Sequence, residues 1–204
     1  MVRTFRKDGR LIQILKMLFR IKEYFRFLIK STNQHGVHSP FVYALVTKCF
    51  YDRKKKRYYP KIKSIYRQQD KPTLSYKNIT LIDRLLVYLN YKDVLLLKNT
   101  PHLIQQIISF NDQVIVSDTI DKNYYDLIYL DVSDYTPNLL DKLLSKTHNN
   151  TLLLCSNIHR TKRNAVVWYK IQKHTKITVT IDTYELGFVF FRKEQAKEHF
   201  VIRL

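Results

Sequence analysis

Short apolar runs that do not alternate with polar residues, separated by helical patterns of roughly ten residues, restrict this chain more than any other feature. The runs fall at residues 94–97, 114–116, 126–130 and 151–155, and the helical patterns at 79–89, 102–110, 138–146 and 163–174. A strand that is apolar on both sides must be covered on both faces, which is the condition of a parallel sheet wrapped by helices. Two further strands, 177–182 and 187–192, are separated only by Thr183, Tyr184, Glu185 and Leu186. That connection is too short for a parallel crossover, so the two pair as an antiparallel hairpin. The expected fold class is α/β: a mostly parallel sheet that ends in an antiparallel hairpin, preceded by N-terminal helices.

In residues 11–30, Leu11, Ile14, Leu15, Leu18, Ile21, Phe25, Leu28 and Ile29 recur at helical spacing, with Lys16, Arg20, Lys22, Arg26 and Lys30 on the remaining faces. The apolar face of such a helix is expected to pack on the main domain; an anionic membrane surface and a partner protein are the other surfaces it suits. A polar break follows at Ser31-Thr32-Asn33, and Ser39 as a cap with Pro40 in the first turn predicts a short helix over 41–50. Residues 52–77 are rich in Lys, Arg, Gln and Tyr with little periodicity and read as a solvated linker. A second reading of the basic segment 53–67 is a grip on single-stranded nucleic acid, by phosphate contact and by stacking on Tyr51, Tyr58, Tyr59 and Tyr66. The expected division is an N-terminal helical extension with basic linker over 1–77 and an α/β domain over 78–204.

Charge does not choose between those readings. Against 36 Lys and Arg stand 17 Asp and Glu, a formal net charge of +19 that attracts polyanions. A composition rich in Lys, Asn, Tyr and Ile also follows from drift toward such codons. Two cysteines, Cys49 and Cys155, lie far apart without a C-x-x-C partner, which excludes a disulfide framework and a Cys-ligated zinc site. Lys and Arg interrupt every apolar stretch before the ~18 residues of a membrane span, and no cleavable leader pattern is present. These features together lead to the expectation of a cytoplasmic protein. Trp168, with Val167 and Ile171 in an amphipathic helical pattern, is expected in the core.

The sequence has three glycines, Gly9, Gly36 and Gly187, and neither a P-loop nor a G-x-G-x-x-G. A nucleotide-like cofactor would have to be held without the glycine-rich turn that lets backbone approach it. The segments Lys30-Ser31-Thr32-Asn33-Gln34-His35-Gly36-Val37-His38-Ser39-Pro40-Phe41-Val42-Tyr43, Tyr125-Asp126-Leu127-Ile128-Tyr129-Leu130-Asp131, Asn157-Ile158-His159, and residues 179–183 with 187–195 carry a resemblance. Together they resemble a bacterial family of class I S-adenosylmethionine-dependent methyltransferases, O-methyltransferase-like. The likeness covers both ends of the chain and is most specific at the His-rich motif and the hairpin. It implies a Rossmann-like methyltransferase sheet and S-adenosylmethionine as cofactor.

The resemblance also assigns residues. The cofactor turn corresponds to residues 93–102, which contain Asn99, and the strand-end acids Asp118 and Asp131 are its further cofactor-binding candidates. Lys98 stands where the family has Gly, adding a Cβ and a like charge near a sulfonium. Relative to the family, about one helix-strand unit is missing between Phe110 and Tyr124. Asp131 matches an acid that is a metal ligand in metal-dependent relatives, with Asn157 the second candidate ligand and Ser156 in place of a third. Asp131 and His159 are the catalytic candidates, the imidazole as a general base. His35 and His38 belong either to a structural turn in which Gly36 takes a positive φ, or to a substrate-binding element over the cofactor face. Two function classes stay open: a methyltransferase acting on an unidentified acceptor, and a pseudoenzyme, a methyltransferase-like module that binds RNA or another polyanion.

Overall fold

The computed structural model describes residues 2–70 and 72–204, the stretch 2–10 as backbone only. Helix α1 (Val2–Lys30) leads through a short 3-10 turn into α2 (Pro40–Leu45), which runs on as a π-helical turn over Val46–Phe50, then α3 (Tyr59–Arg67) and α4 (Tyr76–Tyr88). The remainder alternates: β1 (Asp93–Leu96), α5 (His102–Ile108), β2 (Ile115–Ser117), β3 (Leu127–Asp131), α6 (Pro137–Leu144), β4 (Leu152–Ser156), α7 (Lys162–Lys173), β5 (Val179–Asp182), β6 (Leu186–Phe190) and β7 (Glu198–Val201). Side-chain caps start several of these helices. Ser39, Thr136 and Thr161 accept from the backbone N–H groups of Val42, Leu139 and Asn164, as short hydroxyl side chains do at helix N-termini.

One seven-stranded sheet has the order β2-β1-β3-β4-β6-β5-β7. β6 is antiparallel to both β4 and β5, and every other pairing is parallel. The strands are apolar throughout because both faces are covered. Val94, Leu96, Leu127 and Leu154 face a core shared with α2, α3, α4 and α5, while Leu95, Ile128, Leu153 and Val189 face α6 and α7. The first of these cores draws on Val42, Phe50, Tyr59 and Ile62 as well as on the strands, so the segment before residue 78 is built into it. Strand order and the single antiparallel strand beside β4 make this a mixed α/β, Rossmann-like sheet of the methyltransferase type.

Four expectations need correction. Residues 52–77 are not an unstructured linker: α3 sits there, because Tyr59 and Ile62 turn inward under a basic exterior and Pro60 suits the first turn. A seventh strand, β7, extends the sheet beyond the hairpin and is bridged at its far side by Thr32, whose N–H donates to Val201 O at 2.9 Å. Gly36 does not take a positive φ; a Cβ there would lie 2.1 Å from Thr32 Oγ1, so close approach is what requires glycine. The apolar stripe of α1 does not pack on the domain either. Only its last turns dock, through buried Phe27 and half-buried Glu23 and Leu28, with Tyr24 in edge contact with Tyr184 at 4.9 Å. At 100° per residue the stripe of Leu11, Ile14, Leu18 and Ile21 lies roughly 150° around the helix from that docking face, and Leu11 and Leu18 stay 57% and 52% exposed.

β2 is an edge strand with Ile115 and Val116 exposed, the position to be expected if the unit that would cover it is missing. No helix among the described residues is long and apolar enough to cross a membrane.

Candidate functional site

In an open α/β sheet, ligands bind outside the carboxyl ends of the strands, at the point where strand order reverses. Here that point is between β1 and β3, since β2 lies to one side of β1 and β3 and β4 to the other. The crevice is lined by Leu97, Asn99, Thr100, Tyr129, Leu130, Asp131 and Asp134 and measures about 10 Å³. Its polar groups are already engaged. Asp131 Oδ1 accepts from Ser133 N–H at 2.9 Å and Oδ2 from Asn157 Nδ2 at 2.6 Å. Burial and the neighbouring Asp131 charge push the Asp134 carboxyl upward, and a hydrogen bond from Asn99 opposes the shift.

Asp131 thus ends a central parallel strand and faces Asn157, as the strand-end rule anticipates. Asn157 follows β4 at φ 60°, a left-handed conformation that Asn tolerates better than most residues. It is held there by its carbonyl, which accepts from Asn164 Nδ2 at 2.9 Å, and by its N–H, which donates to Glu185 O at 3.2 Å. Ser156 Oγ is buried and accepts from Tyr129 OH at 2.8 Å.

A second constellation lies beside it. Asp182, ending β5, accepts from His159 Nε2 at 2.6 Å and from Trp168 Nε1 at 3.1 Å on the same oxygen, Oδ2. The His159 ring stacks on Tyr184 at 5.5 Å, and Nδ1 is buried without a hydrogen-bond partner, 3.9 Å from Glu23 Oε2. Tyr184 holds φ 74° in the hairpin turn, a strained value for an aromatic residue, and its OH donates to Arg20 O at 2.9 Å. A cleft of about 310 Å³ opens here, lined by Arg20, Pro72, Thr73, Asn157, His159, Arg160, Tyr184 and Glu185. Both imidazole nitrogens are turned into protein, one toward Asp182 and the other toward Glu23. The arrangement therefore fixes α1, α7 and the hairpin to one another and leaves no ring nitrogen facing the cleft.

The other candidates are scattered. Asp118 is exposed just beyond β2. His35 and His38 are exposed at the β7 edge of the sheet, with β4, β6 and β5 between that edge and β3, so they do not cover the crevice. Lys98 is exposed and does not line it; the space is closed by Leu97, Tyr129 and Leu130 instead. In the basic segment, Tyr58 and Tyr59 are not open for base stacking. Both phenols and Lys56 Nζ donate to the fully buried Asp83, at 2.7, 3.0 and 2.7 Å, and Tyr58 stacks on Phe110 at 5.5 Å. Sequence reasoning missed Asp182, Glu23 and Tyr184 as a group; the strand-end acid after residues 179–181 was the available signal.

Neither inferred cofactor fits the crevice as it stands. S-adenosylmethionine needs a pocket in the range of ~300–1,000 Å³, against about 10 Å³ here. For a divalent cation, Asp131 has both oxygens committed to hydrogen bonds, and among the described residues no three His, Cys, Asp or Glu side chains are grouped to hold a metal.

Sheet and crevice together define a methyltransferase-like α/β fold. No family model matches the chain, and no curated protein does. Among solved structures, one described as "a putative O-methyltransferase from Klebsiella pneumoniae" matches with a TM-score of 0.46 and 9% identity, over 69% of this chain and 92% of that one. That likeness is too distant to carry residue roles across.

Proposed function

We propose that the chain is a methyltransferase-like domain that no longer turns over S-adenosylmethionine and serves as a non-catalytic module for a polyanion, single-stranded RNA being the class that suits its charge. The observation that carries this reading is the crevice between β1 and β3: about 10 Å³, room for a single water, with Asp131 hydrogen-bonded internally on both oxygens. The +19 charge supports the second half of the reading. Two buried free thiols, Cys49 and Cys155, fit a reducing compartment, and the cytoplasm is the compartment we assign.

Isothermal calorimetry with S-adenosylmethionine tests it. The expected dissociation constant is above ~1 mM, weaker than about −4 kcal/mol. A micromolar isotherm would overturn the non-catalytic reading and restore a methyltransferase acting on an acceptor to be identified.

A further inference from the structure

The basic residues that the interior does not use converge on one face. A cleft of about 680 Å³ between the end of α2, α4 and the residues after β7 meets a second of about 650 Å³, which runs along α4 toward α3. The two share Asp52, Arg53 and Arg84 and so form one channel.

Arg84 is its fixed point. Nε donates to Cys49 O at 3.0 Å, Nη2 to Phe50 O at 3.3 Å and Nη1 to Thr80 Oγ1 at 3.4 Å. These bonds lock the planar fork in place while N–H groups remain for a ligand, since a guanidinium has five. Around it stand Lys77 and Arg53, whose side chains make no hydrogen bond or ion pair among the described residues, with Arg203 lining the first cleft. Burial and the nearby charges of Arg84 and Arg53 lower the Lys77 pKa, the mark of cations crowded together without a counter-charge. Asp52 is the one acidic side chain on the walls; one of its carboxylate oxygens accepts from Lys54 N–H at 2.9 Å.

Planar, fixed Arg with flexible Lys beside it is the donor set that phosphate groups favour. A channel of two joined clefts is longer than one phosphate needs, and exposed Lys54, Lys55 and Arg57 continue along its second half. We propose that this channel is a phosphate-binding track for single-stranded nucleic acid, with Arg84 and Lys77 seating one phosphate and Arg53 the next. The proposal rests on the polyanion reading above and gives it a location, distinct from the Tyr58 and Tyr59 face, which the interior has claimed.

Fluorescence anisotropy with a labelled oligouridylate, over a range of salt concentrations, tests it. The variant Lys77→Gln/Arg53→Gln removes two charges that hold nothing inside the fold; Lys162→Gln/Lys170→Gln removes two exposed charges on α7, in the opposite layer. The first pair should weaken binding about tenfold or more at low salt and flatten the slope of log K against log salt by about 1.4, from ~0.7 per phosphate contact. The second pair should change affinity less than about twofold. Thermal melts of both must match wild type, and Lys77→Gln alone should fall between. Equal losses from the two pairs would overturn the channel while leaving the polyanion reading standing. No binding by wild-type protein of either the oligonucleotide or inorganic pyrophosphate would remove both. Pyrophosphate bound without the oligonucleotide would overturn the strand assignment.

Discussion

Replacing Gly187 by alanine should destabilise the protein by about 2–5 kcal/mol, although alanine in a strand interior is ordinarily better than glycine by ~0.5–1 kcal/mol. Gly187 sits in β6 under the indole of Trp168, where a Cβ would lie 2.6 Å from Cη2 and 2.7 Å from Cζ3. Ordinary carbon contacts are near 3.5–4.0 Å, so the ring must retreat by about 1 Å. It is not free to do so, because Nε1 donates to Asp182 Oδ2 at 3.1 Å and a retreat takes that bond past a useful length. Overpacking a core costs ~1–3 kcal/mol, and a hydrogen bond to a charged acceptor is worth ~1.5–3 kcal/mol. Their sum exceeds the glycine gain. At ~2–4 °C per kcal/mol for a chain of this size, the melting temperature should fall by roughly 5–15 °C. Trp168 is the single tryptophan, so its emission reports the displaced ring directly. Trp168→Phe removes the atoms in the way; Gly187→Ala/Trp168→Phe, followed by circular dichroism, should melt above Gly187→Ala alone. A single variant as stable as wild type with unchanged emission, or a double variant without rescue, would refute the steric argument.

Two other outcomes follow from the interior. Asp83→Ala should cost about 3 kcal/mol in chemical denaturation, because it leaves the Tyr59 and Tyr58 phenols and the Lys56 ammonium without their shared acceptor; Asp83→Asn, which keeps an acceptor oxygen, should cost less. Unchanged stability of Asp83→Ala would mean that the segment carrying Lys56 and Tyr58 is not held by this carboxylate. The phenols of Tyr58, Tyr59, Tyr91 and Tyr129 are pushed above their ordinary value, chiefly by burial. A raised folded-state value means the native state keeps protons that the unfolded chain releases. That stability is complete below the unfolded tyrosine value near ~10 and is lost as pH rises beyond it. Tyrosinate absorbance should therefore show a late phase that coincides with unfolding; a single phase near the ordinary value with the fold intact would contradict it.

Six of the seven strands were readable because Val, Leu and Ile runs such as Leu127–Asp131 are apolar on both sides, and only a doubly covered sheet accommodates them. β7 was not, since Glu198 and His199 beside Phe200 and Val201 read as a polar tail until a neighbouring strand is known. α3 was hidden by composition. Tyr59, Ile62 and Tyr66 do recur at helical spacing, but Lys61, Lys63 and Arg67 dominate the average. At the crevice, Asp131 and Asn157 were legible from strand-end position, whereas its closure depends on how Leu97 and Tyr129 fill space, which no spacing encodes. The channel was illegible for a related reason: Arg84 becomes a fixed donor only because the π-helical turn at Val46–Phe50 aims two carbonyls at it.

The chain closes its two ends on each other, and this sets an order of events during synthesis. α1 emerges first, yet the groups that receive it are among the last made: Tyr184, whose OH reaches Arg20 O, and β7, whose Val201 carbonyl takes the Thr32 N–H. At common elongation rates of ~5–20 residues per second the helix waits on the order of ten to thirty seconds for its seat. Throughout that interval Phe27, buried in the finished protein, is uncovered alongside the stripe from Leu11 to Phe25 that stays exposed afterward. A nascent chain of this kind is a client for holding chaperones before it is a folded protein. A message truncated ahead of Tyr184 would release a polypeptide whose first helix has nothing to dock on.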